Sequence, residues 1–193
     1  MSFLSQLRAA PNLLTLLRLF IIPFLVIEIL DGNFHLAFAL FMLAGISDAL
    51  DGLLARWLSQ RTTVGLYLDP IADKLLLSTL FIVLTHVGLI PRYVTVLVFS
   101  RDLGILLIAT LLFATNVLRD FRPSFFGKLN TLVQIVALIV VMSEQAFDLP
   151  HIAPIRAVLV QSIAFLAPLS AAQYAWIVIQ RMNASHPTAP ANG

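Results

Sequence analysis

Six apolar stretches, each about twenty residues long, lie at roughly 12–31, 34–58, 66–89, 93–115, 126–147 and 153–180. At about 1.5 Å per residue, a helix of that length spans about 30 Å, the thickness of a bilayer's hydrocarbon layer. In hydrocarbon every backbone amide must bond within its own segment, so runs this long and apolar are read as helices. With 60% hydrophobic and only 11% charged residues and a mean hydropathy of +0.95, the chain falls outside the range of water-soluble domains. The expected fold class is therefore all-α: a polytopic membrane protein of six transmembrane helices in one domain, residues 1–182, with a disordered polar tail at 183–193.

Turn chemistry separates the stretches: Asp31-Gly32-Asn33, Ser59 to Thr63, Pro91, Asn116 to Ser124 and Asp148 to Pro150. Pro11, Asn12, Arg18 and Glu28 interrupt the first run, which argues against a cleaved signal peptide. No internal repeat is visible. There is no cysteine, which excludes disulfides and thiolate metal sites, and His35, His86, His151 and His186 show no paired ligand spacing. No basic stripe points to nucleic acid.

Cations orient the bundle. Arg8, Arg56, Arg61, Arg119, Arg122, Lys128 and Arg181 fall at one set of segment ends, whereas Arg92 and Arg156 fall at the other. Positive charge collects on the cytoplasmic side. Both termini and the turn after Arg56 are thus expected to face the cytoplasm of a bacterial cytoplasmic membrane.

Against this background Asp48, Asp51, Asp69 and Asp73 crowd into one short region. At about 100° per residue, Asp48 and Asp51 share a strip of the second helix, and Asp69 and Asp73 lie one turn apart on the third. The short connection lets the two acidic faces meet, while Gly45, Ala49, Gly52 and Gly65 leave room for a neighbouring backbone or a flat ligand. A carboxylate in a membrane costs about 3 kcal/mol even on the lenient scale, so a cationic partner must compensate. An oxygen-only set suits the hard ions Mg²⁺ or Mn²⁺, and four carboxylates suit two of them. Asp69 before Pro70 also reads as a helix N-cap with proline at the first helical position, but one cap explains one aspartate, not four.

The pattern Asp48-x-x-Asp51-Gly52-x-x-Ala55-Arg56, eight residues, then Gly65-x-x-x-Asp69-x-x-x-Asp73 resembles the signature of the CDP-alcohol phosphatidyltransferase family at all eight fixed positions. Pro11-Asn12-x-x-Thr15-x-x-Arg18 is similar to the family's amino-terminal element, which extends the resemblance over residues 10–182. The resemblance implies a dimeric six-helix membrane fold with a polar cavity open to the cytoplasm. It implies transfer of a phosphatidyl or related group from a CDP-linked donor, CDP-diacylglycerol, to an alcohol, with release of CMP. By position, Asp48, Asp51 and Asp69 would hold two metal ions. Asp73 would touch metal and act as base toward the acceptor hydroxyl. Gly52, Ala55 and Arg56 would line the nucleotide site, with Asn12 and Thr15 nearby.

Cations outside the signature are candidates for reading an anionic acceptor: Arg101, Arg122 and Lys128. Arg101 beside Asp102 equally reads as an intramembrane ion pair, and Lys128 as a snorkelling side chain. Ser100-Arg101-Asp102 and Lys128-Leu129-Asn130-Thr131-x-x-Gln134 resemble the cardiolipin synthases, which use phosphatidylglycerol. Pro11-Asn12-x-x-Thr15 and Gly127-Lys128 are shared with phosphatidylglycerophosphate synthases, which use glycerol 3-phosphate. Phosphatidylglycerol is favoured. The rival readings are a divalent-cation transporter, which would spread its acids along a path, and an aspartate-rich membrane prenyltransferase, which would carry two separated acidic motifs.

Overall fold

In a computed structural model, the described residues 10–57, 63–114 and 125–185 are all helix and turn. Six long helices follow in order: α1 (Ala10–Leu30), α2 (Phe34–Trp57), α3 (Thr63–His86), α4 (Arg92–Ala114), α5 (Phe125–Phe147) and, after a 3₁₀ turn at Pro150–Ile152, α6 (Ala153–Ser185). Among the described residues three segments are long and apolar enough to cross a membrane: Leu13–Leu30, Phe125–Phe147 and Pro150–Gln180. In α2 the acidic cluster begins at Asp48, inside the apolar stretch Phe34–Leu50. Large apolar side chains face outward along the helices, among them Phe20, Val96, Leu106, Val158, Phe165 and Trp176. An apolar exterior of this kind belongs against lipid tails.

Three helices end in the same way. Gly32 and Gly88 take φ of 78° and 81°, and Asp148 takes 49°. In each case the residue after the left-handed one donates its N–H five residues back: Asn33 to Glu28 at 2.8 Å, Leu89 to Leu84 at 2.9 Å and Leu149 to Glu144 at 3.1 Å. This closure satisfies the carbonyls that a helix end leaves without partners. Aspartate tolerates the left-handed region better than most side chains, which lets Asp148 do what glycine does elsewhere.

Two compact units emerge, residues 1–90 with 138–154, and residues 91–137 with 155–193. In the first, α1 packs along both α2 and α3. Its buried strip runs Thr15, Arg18, Ile21, Leu25, Ile29, a helical spacing of three and four that starts polar and ends apolar. Ala37, Ala44 and Ser47 on the buried strip of α2 are small enough for backbones to approach closely. Phe147 receives the edges of His35 and Phe38, with ring centroids 5.8 and 5.4 Å away.

In the second unit α4 and α6 run side by side in the same direction. Tyr93 donates its hydroxyl to Gln161, Arg101 reaches Ser170, and Ile105 and Ile108 pack on Tyr174 and Val178. The rising pairs on both helices set their parallel register. The Phe126 N–H at the start of α5, lacking an intrahelical acceptor, donates to Gln173 Oε1 at 3.1 Å.

Two expectations change. Helix α3 begins at Thr63, so Pro70 lies inside it and Asp69 is not an N-cap. Proline there forgoes one backbone bond, a loss that membrane helices tolerate when neighbouring groups compensate. Helix α6 continues to Ser185, so residues 183–185 of the expected tail are helical, and the remainder of that tail lies outside the described residues.

Candidate functional site

Helix α1 gathers the acids. Thr15 and Arg18, one turn apart and both fully buried, reach different neighbours. The Thr15 hydroxyl donates to Asp69 Oδ1 on α3 at 2.6 Å. The Arg18 guanidinium divides between α2 and α3: Nη2 meets Asp48 Oδ1 at 2.8 Å, and Nη1 donates to Asp73 Oδ1. Asp69 and Asp73 present neighbouring turns of α3 to neighbouring turns of α1, which runs parallel to it.

The burial is one-sided. Arg18 is inaccessible, while the side chains of Asp48 and Asp73 remain 48% and 46% exposed. The buried side of each carboxylate is thus fixed by α1, and the rest faces away from it. Such an arrangement costs the conformational freedom of three side chains and the desolvation of one guanidinium, offset by charge-assisted hydrogen bonds of about 1.5–3 kcal/mol each. A lone arginine in an apolar helix would be strongly disfavoured without those anions.

Asp51 lies one turn beyond Asp48 on α2, with its side chain outside the described residues. Gly52, Ala55 and Arg56 on α2, Asn12 on α1 and Gly65 on α3 are placed by backbone alone. Gly45 and Ala49 are exposed, and a Cβ added to Gly45 would meet nothing within 4 Å, so this edge of α2 has open space beside it. Thr15, expected near the nucleotide, commits its hydroxyl to Asp69. Among the described residues no three acidic or imidazole side chains form a metal-holding group. The donor chemistry nevertheless suits a hard divalent ion: oxygen atoms of Asp48, Asp69 and Asp73, with accessible carboxylate edges and no imidazole or thiolate.

Among the acceptor candidates, Arg101 donates from Nη1 to Asp102 at 2.7 Å and from Nε to the buried Ser170 at 3.0 Å. Lys128 is exposed in the first turn of α5. Arg122 lies outside the described residues. Two turns of α5 also bury amides: Asn130 is inaccessible with neither side-chain polar atom bonded, and Gln134 Nε2 is likewise without a partner. Each such group costs about 1–3 kcal/mol.

Arg18 closes the amino-terminal motif, but the sequence reading gave it no role in the site, where it pairs with Asp48 and Asp73. Its signal was there: the one cation of a largely apolar helix, three residues after Thr15 and ten before Glu28, calls for an anion from elsewhere in the fold.

The family model for CDP-alcohol phosphatidyltransferase matches residues 8–179. A human (Homo sapiens) cardiolipin synthase (CMP-forming) is 34% identical over 156 residues, 72% of this chain and 51% of that one. A probable phosphatidylglycerophosphate synthase of Mycobacterium tuberculosis is 39% identical over 164 residues, covering 80% and 74%. A CDP-diacylglycerol–glycerol-3-phosphate 3-phosphatidyltransferase of Bacillus subtilis is 34% identical over 143 residues, covering 66% and 73%. The chain spans about half the length of the human relative. Neither the transporter nor the prenyltransferase reading finds support in these similarities.

Proposed function

The chain belongs to the CDP-alcohol phosphatidyltransferase family, and we propose that it transfers a phosphatidyl group from CDP-diacylglycerol to a glycerol-type alcohol in the membrane, releasing CMP. What carries this reading is the clamp of α1 on its two neighbours: Thr15 and Arg18 hold Asp69, Asp48 and Asp73 with their free edges on the accessible side. Asp48, Asp51, Asp69 and Asp73 hold two divalent ions. Those ions, Mg²⁺ or Mn²⁺, supply neutralisation of the charge that builds on the donor's diphosphate.

The remaining work falls to side chains. Gly52 and Ala55 leave the α2 surface flat for the nucleotide, with Asn12 nearby, and Arg56 adds positive charge. Asp73 accepts the proton of the acceptor hydroxyl as its oxygen bonds to the phosphatidyl phosphorus. The bond from that phosphorus to the bridging oxygen breaks, and CMP leaves with the bridging oxygen and its electron pair. Since the diphosphate link already supplies a good leaving group in CMP, position and charge neutralisation suffice. In this reading six helices cross the membrane, the protein forms a homodimer, and both termini face the cytoplasm, which the distribution of cations supports.

We assign phosphatidylglycerol as acceptor, on the Ser100-Arg101-Asp102 and Lys128 to Gln134 patterns. Glycerol 3-phosphate is the second reading, favoured by the mycobacterial relative that covers 80% of the chain. Purified protein supplied with labelled CDP-diacylglycerol and either acceptor decides it. Cardiolipin with CMP is expected from the first mixture. Phosphatidylglycerophosphate from the second alone moves the assignment, and CMP release from neither rejects the activity.

Lys128 reads the acceptor's phosphate. Lys128→Ala is expected to raise the acceptor KM about tenfold, the low end for a charge-assisted bond at an exposed position, and to leave the donor KM within about twofold. An unchanged acceptor KM makes Lys128 a snorkelling side chain.

A further inference from the structure

Arg18 has no part in the chemistry just described, yet it grips two of the four acids. A guanidinium keeps its charge when buried. Being inaccessible, it lies behind Asp48 and Asp73 and does not reach a ligand on their exposed side. Two divalent ions bring four positive charges, which Asp48, Asp51, Asp69 and Asp73 already match. Arg18 is then a fifth, even before Arg56 and Lys74 are added. The excess is relieved by an anion from outside, and a diphosphate is such an anion.

We propose that Arg18 is a positioning residue that makes metal loading depend on the donor. In protein without divalent ions it neutralises and aligns Asp48 and Asp73. As ions arrive it competes for the same carboxylates and weakens their binding. The donor's diphosphate restores the balance, so ions and donor enter together. This inference rests on reading the acids as a metal site.

Binding, not turnover, tests it. Mn²⁺ is titrated into the purified full chain in detergent and followed by electron paramagnetic resonance, with and without CDP-diacylglycerol. In the unaltered protein the donor tightens Mn²⁺ binding by about tenfold or more. In Arg18→Gln, Mn²⁺ without donor binds about tenfold tighter than in the unaltered protein, and the donor's effect shrinks correspondingly. Arg18→Lys, which keeps the charge but loses the two-pronged grip, tightens Mn²⁺ by about threefold and carries the test if the glutamine variant fails to fold. Unchanged or weaker Mn²⁺ affinity in the variants overturns the inference, because a purely structural arginine would loosen the site when removed. Absence of Mn²⁺ binding in the unaltered protein, with donor present, rejects the metal-site reading itself.

Discussion

Asp73→Asn is expected to lower kcat by about a thousandfold or more, at the upper range for loss of a positioned base, while CDP-diacylglycerol still binds. Asparagine has the shape of aspartate and keeps an oxygen that accepts from Arg18 Nη1, so the contact between α1 and α3 survives. Charge and proton acceptance do not. The loss leaves buried Arg18 paired with the Asp48 carboxylate. Breaking a fully buried pair costs about 3–5 kcal/mol, but the half-exposed carboxylate and the remaining hydrogen bond reduce that to about 1–2 kcal/mol. The unfolding midpoint in detergent should therefore fall by a few degrees, with no collapse of the fold. Single-turnover rates and equilibrium donor binding on the same preparation separate the two effects. Turnover within about tenfold of the unaltered enzyme would remove Asp73 from the role of base.

The second large effect is metal removal. Chelation should reduce activity to the assay background, and Mg²⁺ or Mn²⁺ in excess of chelator should restore it. The reasoning is electrostatic: in the proposed site Asp51 joins Asp48, Asp69 and Asp73, and Arg18, paired with Asp48 and Asp73, can answer only part of their charge. A diphosphate brought to that surface adds further negative charge, which side chains alone do not offset. A second readout is independent of turnover. Ions that bind only the folded state stabilise it by about 2.7 kcal/mol at a hundred times their dissociation constant, so the unfolding midpoint should rise with added ion. Full activity after exhaustive chelation would contradict the mechanism.

The two effects are diagnostic together. Loss of activity in Asp73→Asn with retained Mn²⁺ binding isolates the base, whereas loss of both assigns Asp73 mainly to the ions. Neither outcome depends on which acceptor the enzyme uses.

Much of this was legible in the order of residues. Helix positions follow from apolar length and turn chemistry, both local properties. Gly32 and Gly88 end α1 and α3 where a left-handed residue is required, and the spacing of the four aspartates places them on adjoining turns of two helices. The N-cap reading of Asp69 failed because a local proline rule was applied to a helix that starts seven residues upstream of Pro70. The reading of Arg101 held two possibilities, a pair with Asp102 or an acceptor contact, and the folded chain gives it both Asp102 and Ser170 as partners.

The sequence by itself determined that this chain is helical, belongs in a membrane and concentrates acid at one place, because apolar length and helical period are properties of neighbouring residues. Tertiary structure alone decided what stands behind the acids. Thr15 meets Asp69 across 54 residues, and Arg18 meets Asp73 across 55. Contacts that distant depend on how helices pack rather than on the periodicity of any one of them. A buried cation therefore found its anions only once α1, α2 and α3 were brought side by side.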